Sequence, residues 1–146
     1  MKSSGSPLLA VVGLLLLGSV PARGQALPPV GPMLVTTAVA GFQPSPAVAT
    51  SSFSASLAFV GQRKITGQLN TNMPANTALS VRLTAPSGGT SLGNVNLDVT
   101  ARDLVIAVTP PFFTNVTINY IFTPTVAAGV IPASSRTVTF TVAAYP

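Results

Sequence analysis

Few side chains in this sequence could do acid–base or nucleophilic chemistry. The chain has no His and no Cys, and its two acidic residues are Asp98 and Asp103. Catalysis near neutral pH usually uses a group that titrates there, most often His. A glycosidase needs two facing carboxylates, whereas Asp98 and Asp103 flank a predicted turn at Val99–Arg102 and should be solvated beside Arg102. We therefore expect a non-enzyme with no catalytic residue and no cofactor.

A metal site is also not expected from these residues. Calcium takes about six to eight oxygen ligands, and two carboxylates rarely provide enough of them. The sequence therefore predicts no metal ligands, with metal binding by Asp98 and Asp103 as the alternative to a solvated pair.

Adjacent aromatic residues at Phe112 and Phe113 form a candidate binding loop. Pro110 and Pro111 should hold the preceding backbone extended, and two neighbouring aromatic side chains cannot both enter the same core. One of them would then be exposed as a stacking platform for a sugar or an apolar partner. In the alternative interpretation, one Phe caps the end of the core and the other packs on a neighbouring loop.

The basic charge of the chain does not indicate nucleic-acid binding. The formal net charge is +5, but Lys2 and Arg23 fall in the expected leader, and five basic minus two acidic residues leave +3. Phosphate binding needs a clustered basic stripe. The remaining basic residues are scattered along the chain: Arg63, Lys64, Arg82, Arg102 and Arg136.

The first 26 residues are typical of a signal peptide. Lys2 precedes the apolar run Leu8–Val20, whose thirteen residues are too few to span a bilayer, which takes about 20. The run fits the hydrophobic region of a leader cleaved after Ala26 or Ala22; an uncleaved N-terminal anchor is the alternative. We expect a secreted, periplasmic or cell-surface protein with no transmembrane helix after signal removal.

The mature sequence predicts strands. Leu27–Pro32 is a Pro-rich extended tail, because proline cannot donate a backbone hydrogen bond. In Ala78–Thr84, apolar residues alternate with Ser80, Arg82 and Thr84, as in a strand with one buried face. Similar runs follow or precede it: Met33–Ala40, Phe53–Phe59, Gln62–Leu69, Asn94–Val99, Leu104–Val108, Val116–Thr123 and Arg136–Ala144.

These runs indicate an all-β fold. No helical spacing extends over about ten residues in the mature region, and turn residues recur about every ten positions. We expect residues 33–146 to form one antiparallel β-sandwich of about seven or eight strands, immunoglobulin-like or pilin-like, with a small barrel as the alternative. Without Cys, the domain must rely on burial and strand pairing.

In composition and layout the chain resembles small exported bacterial surface proteins with a pilin-like or immunoglobulin-like sandwich. Its terminal strand Arg136–Pro146 carries a penultimate Tyr145, as chaperone-assembled pilins do. The phase differs, since Val138 and Phe140 fall on the face opposite Tyr145, and the pilin disulfide is absent. The resemblance implies donor-strand assembly as one possibility and assigns no functional residue.

The leading hypothesis from the sequence is a structural or adhesive cell-surface protein. It would act through its sheet edges and loops and associate with itself or with a cell-surface component, because sparse charge weakens the usual protection of edge strands. The alternatives are a secreted glycan- or surface-binding sandwich module that uses Phe112 and Phe113, and a small outer-membrane β-barrel.

Overall fold

Strands form where β-branched, aromatic and small polar residues alternate along the chain. The computed structural model describes residues 30–35, 41–55, 60–86, 88–109 and 113–146, and only the backbone of 53–55 and 113–115. The predicted signal peptide at 1–26 therefore lies outside the described residues. The described strands are β1 (Ala47–Ala55), β2 (Arg63–Leu69), β3 (Thr77–Leu83), β4 (Thr90–Ser91), β5 (Val95–Asn96), β6 (Arg102–Val108), β7 (Phe113–Pro124) and β8 (Val138–Ala144).

The strands form two four-stranded sheets. The first has the order β1-β7-β3-β5 and the second the order β4-β6-β2-β8, and every pairing is antiparallel. A single 3-10 turn at Val126–Ala128 is the one helical element in the described ranges. These ranges contain no helix long and apolar enough to cross a membrane. The prediction of an all-β antiparallel sandwich is confirmed.

The core lies between the inner faces of the two sheets. In β3, Leu79, Val81 and Leu83 are buried while Arg82 is exposed, so the predicted alternation is confirmed. Burying one such side chain stabilises the fold by about 1.5–3 kcal/mol. Residues of both sheets and of the segment after β5 complete the core: Ile65, Leu69, Leu97, Leu104, Val105, Val108, Val116, Ile118 and Tyr120.

In β6 the predicted alternation is wrong. The sequence places Leu104, Ile106 and Val108 on one face, but Leu104 and Val105 are both fully buried and Ile106 is half-buried. The register between β2 and β6 shifts twice, and at each shift β6 contains one residue more than β2. Each extra residue is a β-bulge, which reverses the faces of the residues beyond it. Ala107, at the first bulge, has φ 56°.

The N-terminal part of the domain also differs from the predicted strands. Within Met33–Ala40, residues 33–35 form no strand and 36–40 lie outside the described residues. The strand predicted at Phe53–Phe59 begins earlier, at Ala47, and 56–59 are again outside. Val30 and Met33 pack against the core, so this end of the predicted tail touches the sandwich.

Candidate functional site

Both carboxylates of the chain are engaged in ion pairs on the surface. Asp103 Oδ1 lies 3.0 Å from Lys64 Nζ, and Asp98 Oδ2 lies 2.5 Å from Arg102 Nη2. The hydrogen bonds donated by Arg102 and by the Thr100 amide lower the pKa of Asp98. The same pairing raises the pKa of Arg102. Asp98 is therefore ionised at neutral pH and accepts hydrogen bonds at the turn before β6, beside Arg102 as the sequence predicted.

The candidate binding loop is only partly described. Phe112 lies outside the described residues, and Phe113 contributes the first backbone position of β7, paired with Ala55 of β1. The structure does not describe the Phe113 side chain. Exposure of either aromatic ring stays a prediction.

The sheet edges are unequal in length. Each sheet has one short edge strand of two residues, β5 and β4, and one long edge strand, β1 with nine residues and β8 with seven. Neither long edge contains a charged residue or a proline. Edge strands are usually protected from pairing with other chains by charge, proline or bulges. The two long edges lack the first two of these protections.

From Val138 to Val142, the side chains of β8 alternate between an inner and an exposed face. Thr139 and Thr141 are exposed, whereas Val138, Phe140 and Val142 are half-buried and pack against the core. The strand pairs with β2 along its whole length without a register shift. β8 is therefore a regularly paired edge strand whose apolar inner side chains Val138, Phe140 and Val142 are half-buried.

Hydrogen bonding shows which backbone groups of β8 face away from the sheet. Thr137 O accepts from Asn70 N at 3.0 Å, and Tyr145 N donates to Gln62 O at 3.1 Å. Along an antiparallel strand, the N–H and C=O groups of successive residues point to opposite sides. Those of the odd-numbered residues of β8 therefore bond β2, and those of the even-numbered residues point away from the sheet. The N–H and C=O groups without a partner in the described structure belong to Val138, Phe140, Val142 and Ala144.

The two long edges lie on the same lateral side of the sandwich. On the opposite side the chain crosses between the sheets after β5. There Leu97 N donates to Leu79 O at 2.9 Å, and Leu69 N donates to Asp98 O at 2.8 Å. β3 and β5 also contact β6 across the sandwich. By the strand orders, β1 and β8 are therefore both at the open side, and no hydrogen bond joins them in the described part of the chain.

An apolar groove of about 1180 Å³ opens at the end of the sandwich where β8 begins. Leu79, Tyr120 and Phe122 line it from the first sheet and Val138 from the second. Ser51 Oγ donates to Tyr120 Oη at 3.3 Å, and burial raises the pKa of Tyr120. The sequence singled out no residue of this groove as a site, because its wall comes from loops and strand ends that are distant in sequence.

Searches against protein-family models, curated proteins and solved structures found no match. The surface of the sandwich therefore provides the evidence on function. Its two distinctive surfaces are the uncharged edge pair, β1 and β8, and the apolar groove.

Proposed function

We propose that this chain is an exported structural or adhesive cell-surface protein that acts through its sheet edges and associates with itself. The observation that carries the proposal is β8. Among the described residues its seven residues pair on one side only, and they carry no charge and contain no proline. A strand of this kind can add a further strand from another chain, with main-chain hydrogen bonds providing the affinity.

The rest of the molecule supports a role in assembly. Only 6% of the residues are charged, so little electrostatic repulsion opposes contact between copies. The leader-like run Leu8–Val20 supports export to a secreted, periplasmic or surface location. The two carboxylates are already paired with Lys64 and Arg102, which favours a non-enzymatic role. For this role we propose that the sandwich is of the immunoglobulin-like or pilin-like type.

The proposal is tested by size-exclusion chromatography with light scattering over a wide range of protein concentration. We expect the apparent mass to rise with concentration, because edge pairing obeys mass action. A single monomer mass across the whole range contradicts self-association. Immunolabelling of intact and permeabilised cells tests the location, and signal from permeabilised cells alone would exclude exposure at the surface.

A second candidate function is a ligand-binding module, and the groove favours it. Binding pockets for small molecules are mostly apolar clefts with a few polar groups. Here the polar lining residues include Tyr120 and Arg136, and Arg136 Nε donates to Asn72 O at 2.9 Å. The groove would accept an apolar molecule of moderate size, and Phe112 and Phe113 would add a separate contact surface.

Fluorescence of an environment-sensitive apolar dye tests this second candidate. Phe42 lines the groove and is 70% exposed, so Phe42→Ala should weaken dye binding without disturbing the core. Val99→Ala is the matched control, since Val99 is an exposed apolar residue outside the groove. Equal dye binding by both variants and the wild type would leave the groove without a role. Glycan-array binding that is unchanged by Phe112→Ala/Phe113→Ala would show that the loop has no role in glycan binding.

A further inference from the structure

We propose that the partner of β8 is β8 of a second copy, paired antiparallel about a twofold axis that passes through Thr141. This inference rests on the proposed self-association and names the edge, the partner and the register. The resulting dimer would continue the sheet β4-β6-β2-β8 into the same sheet of the second copy. The contact is symmetric, since each copy contributes the same seven residues, Val138–Ala144.

β8 fits this contact better than the other edges. β4 and β5 have two residues each, which is too short for a stable ladder. β1 is long, but its register with β7 shifts between Phe53 and Ala55, where β7 contains one residue more. Such an irregularity interrupts the ladder and discourages regular pairing at an edge. β8 has no such shift, and its register with β2 is continuous along its seven residues.

The register follows from the direction of the backbone groups. Only Val138, Phe140, Val142 and Ala144 present N–H and C=O groups to the outside, so hydrogen-bonded pairs across the new contact must join even-numbered residues. A twofold axis at Thr141 pairs Val138 with Ala144 and Phe140 with Val142. All four residues of each copy are then bonded, and four pairs with two bonds each give about eight hydrogen bonds.

Neighbouring registers form fewer bonds. An axis at Phe140 leaves Ala144 opposite residue 136, which lies before the strand, and an axis at Val142 leaves Val138 opposite Pro146, which has no N–H group. Each of these registers forms about six bonds within the strand. The midpoint of β8 is therefore the position that satisfies every outward group.

Side chains on both faces match in this register. On the inner face, Phe140 lies beside Val142 of the second copy, an aromatic and β-branched pair of the kind that stabilises antiparallel sheets. This contact would cover side chains that are half-buried in the single copy. On the outer face, Thr141 lies opposite itself, and Thr–Thr pairs are also favourable. No charged residue occurs in either strand, so no like charges meet.

Cysteine cross-linking of the full chain tests the register, because the natural sequence has no Cys to interfere. Thr141 would be a non-hydrogen-bonded self-pair with Cα atoms about 4.5 Å apart, within the range of a disulfide. Thr139 would lie roughly 14 Å from Thr139 of the second copy, at about 3.4 Å per residue along the strand. Both are exposed threonines on one face of β8, so Thr139→Cys is the matched control for Thr141→Cys.

We expect Thr141→Cys to form a covalent dimer under mild oxidation and Thr139→Cys to form much less. Equal cross-linking of the two variants, or none with Thr141→Cys while the wild type associates, overturns the register. In that second case self-association itself stands and uses another register of β8 or another surface. A wild type that stays monomeric at every concentration refutes both the edge contact and the broader proposal.

Charge variants give an independent readout. Thr141→Lys places two like charges opposite each other, which disfavours a cross-strand pair, so the dissociation constant should rise about tenfold or more. Thr141→Asp should behave in the same way, and an equal mixture of the two variants should associate again. Thr139→Lys keeps its charges far apart and should change association little. Failure of the mixture to recover, with both variants folded by circular dichroism, contradicts the twofold contact at Thr141.

Discussion

At the scale of single residues, Tyr120 is the most informative buried polar side chain. It lies on β7, is 5% exposed and accepts a hydrogen bond from Ser51 Oγ at 3.3 Å. Tyr120 belongs to the core and also lines the groove, which suits a side chain with one apolar and one polar end. Burial raises its pKa above the ordinary value of 10.0, because a phenolate would lose hydration there.

This shift predicts a loss of stability at alkaline pH. Below about pH 10 Tyr120 is neutral in both the folded and the unfolded chain, so its contribution to stability is fully present. As the pH rises from 10 towards the higher folded-state pKa, the unfolded chain ionises first and the free energy of unfolding falls. Urea unfolding at a series of pH values measures this. Tyr120→Phe should show a flatter decline, and identical declines in both proteins would contradict the assignment.

Some residue-level features followed from the sequence and others did not. The neighbourhood of Asp98 and Arg102 was predictable, because residues four positions apart across a short turn lie close together. Tyr120 lies in the predicted strand Val116–Thr123, but its contact with Ser51 was not predicted. Ser51 is far away in the sequence, and the pairing of β1 with β7 alone brings the two together.

At the scale of strands, the buried faces of the regular strands β3 and β7 were predictable from the sequence, and those of the bulged strand β6 were not. β3 and β7 pair without a register shift, so the alternation in the sequence gives their buried faces directly. β6 contains two bulges relative to β2, and nothing in the residue types around Ala107 marks them. The early part of β1 was missed because Ala47–Ser52 is rich in small residues and shows little apolar contrast.

Gly67 of β2 packs closely against β6. A Cβ at this position would lie 2.8 Å from Leu104 Cδ1 and 3.5 Å from Leu97 Cδ2. Leu104 is fully buried, so its Cδ1 would have to shift inside the core to admit the new methyl group. Gly67→Ala should therefore lower the free energy of unfolding by about 1–3 kcal/mol, as overpacking usually does.

Urea denaturation measures the effect of Gly67→Ala. Gly31→Ala is its control, because a Cβ at Gly31 meets no atom within 4 Å. We expect the control to leave stability nearly unchanged. Equal stability of the Gly67 and Gly31 variants would show that the core around Leu104 accommodates an added methyl group without cost.

Ala107 offers a test of the first bulge in β6. Its φ of 56° is left-handed and costs a residue with a Cβ about 1–2 kcal/mol, whereas Gly adopts it freely. Ala107→Gly should leave the free energy of unfolding unchanged or raise it by about 1 kcal/mol, once the greater freedom of the unfolded chain is counted.

Ala78→Gly is the matched comparison for Ala107→Gly. Ala78 lies in the regular strand β3, so the same exchange should cost about 0.5–1 kcal/mol. Thermal or urea unfolding of the two variants gives both values. A loss at Ala107 as large as that at Ala78 contradicts a left-handed bulge.

At the scale of the whole molecule, the strand order determines what the surface can do. It leaves two long uncharged edges, β1 and β8, on one lateral side and closes the other side with short strands and a crossing of the chain. The sequence predicted open edges from its sparse charge. It could not say which strands they are, because the order of strands depends on contacts between distant segments.

Pairing at the open edge of β8 also affects stability. Association of folded chains stabilises them more as their concentration rises, with a logarithmic dependence. The half-buried inner residues of β8, such as Phe140, would lose further exposed area in the contact. The wild type should therefore melt at a higher temperature as concentration rises, and Thr141→Lys should show a smaller rise.

Amide hydrogen exchange of β8 at low and high protein concentration tests the open edge most directly. In dilute solution the amides of Thr139, Thr141 and Ala143, which bond β2, should be protected, while those of Phe140 and Val142 should exchange rapidly. At high concentration the Phe140 and Val142 amides should become protected as well. Protection of all five in dilute solution, or rapid exchange of Phe140 and Val142 at every concentration, would contradict an edge that is open in the single chain and closed by a second copy.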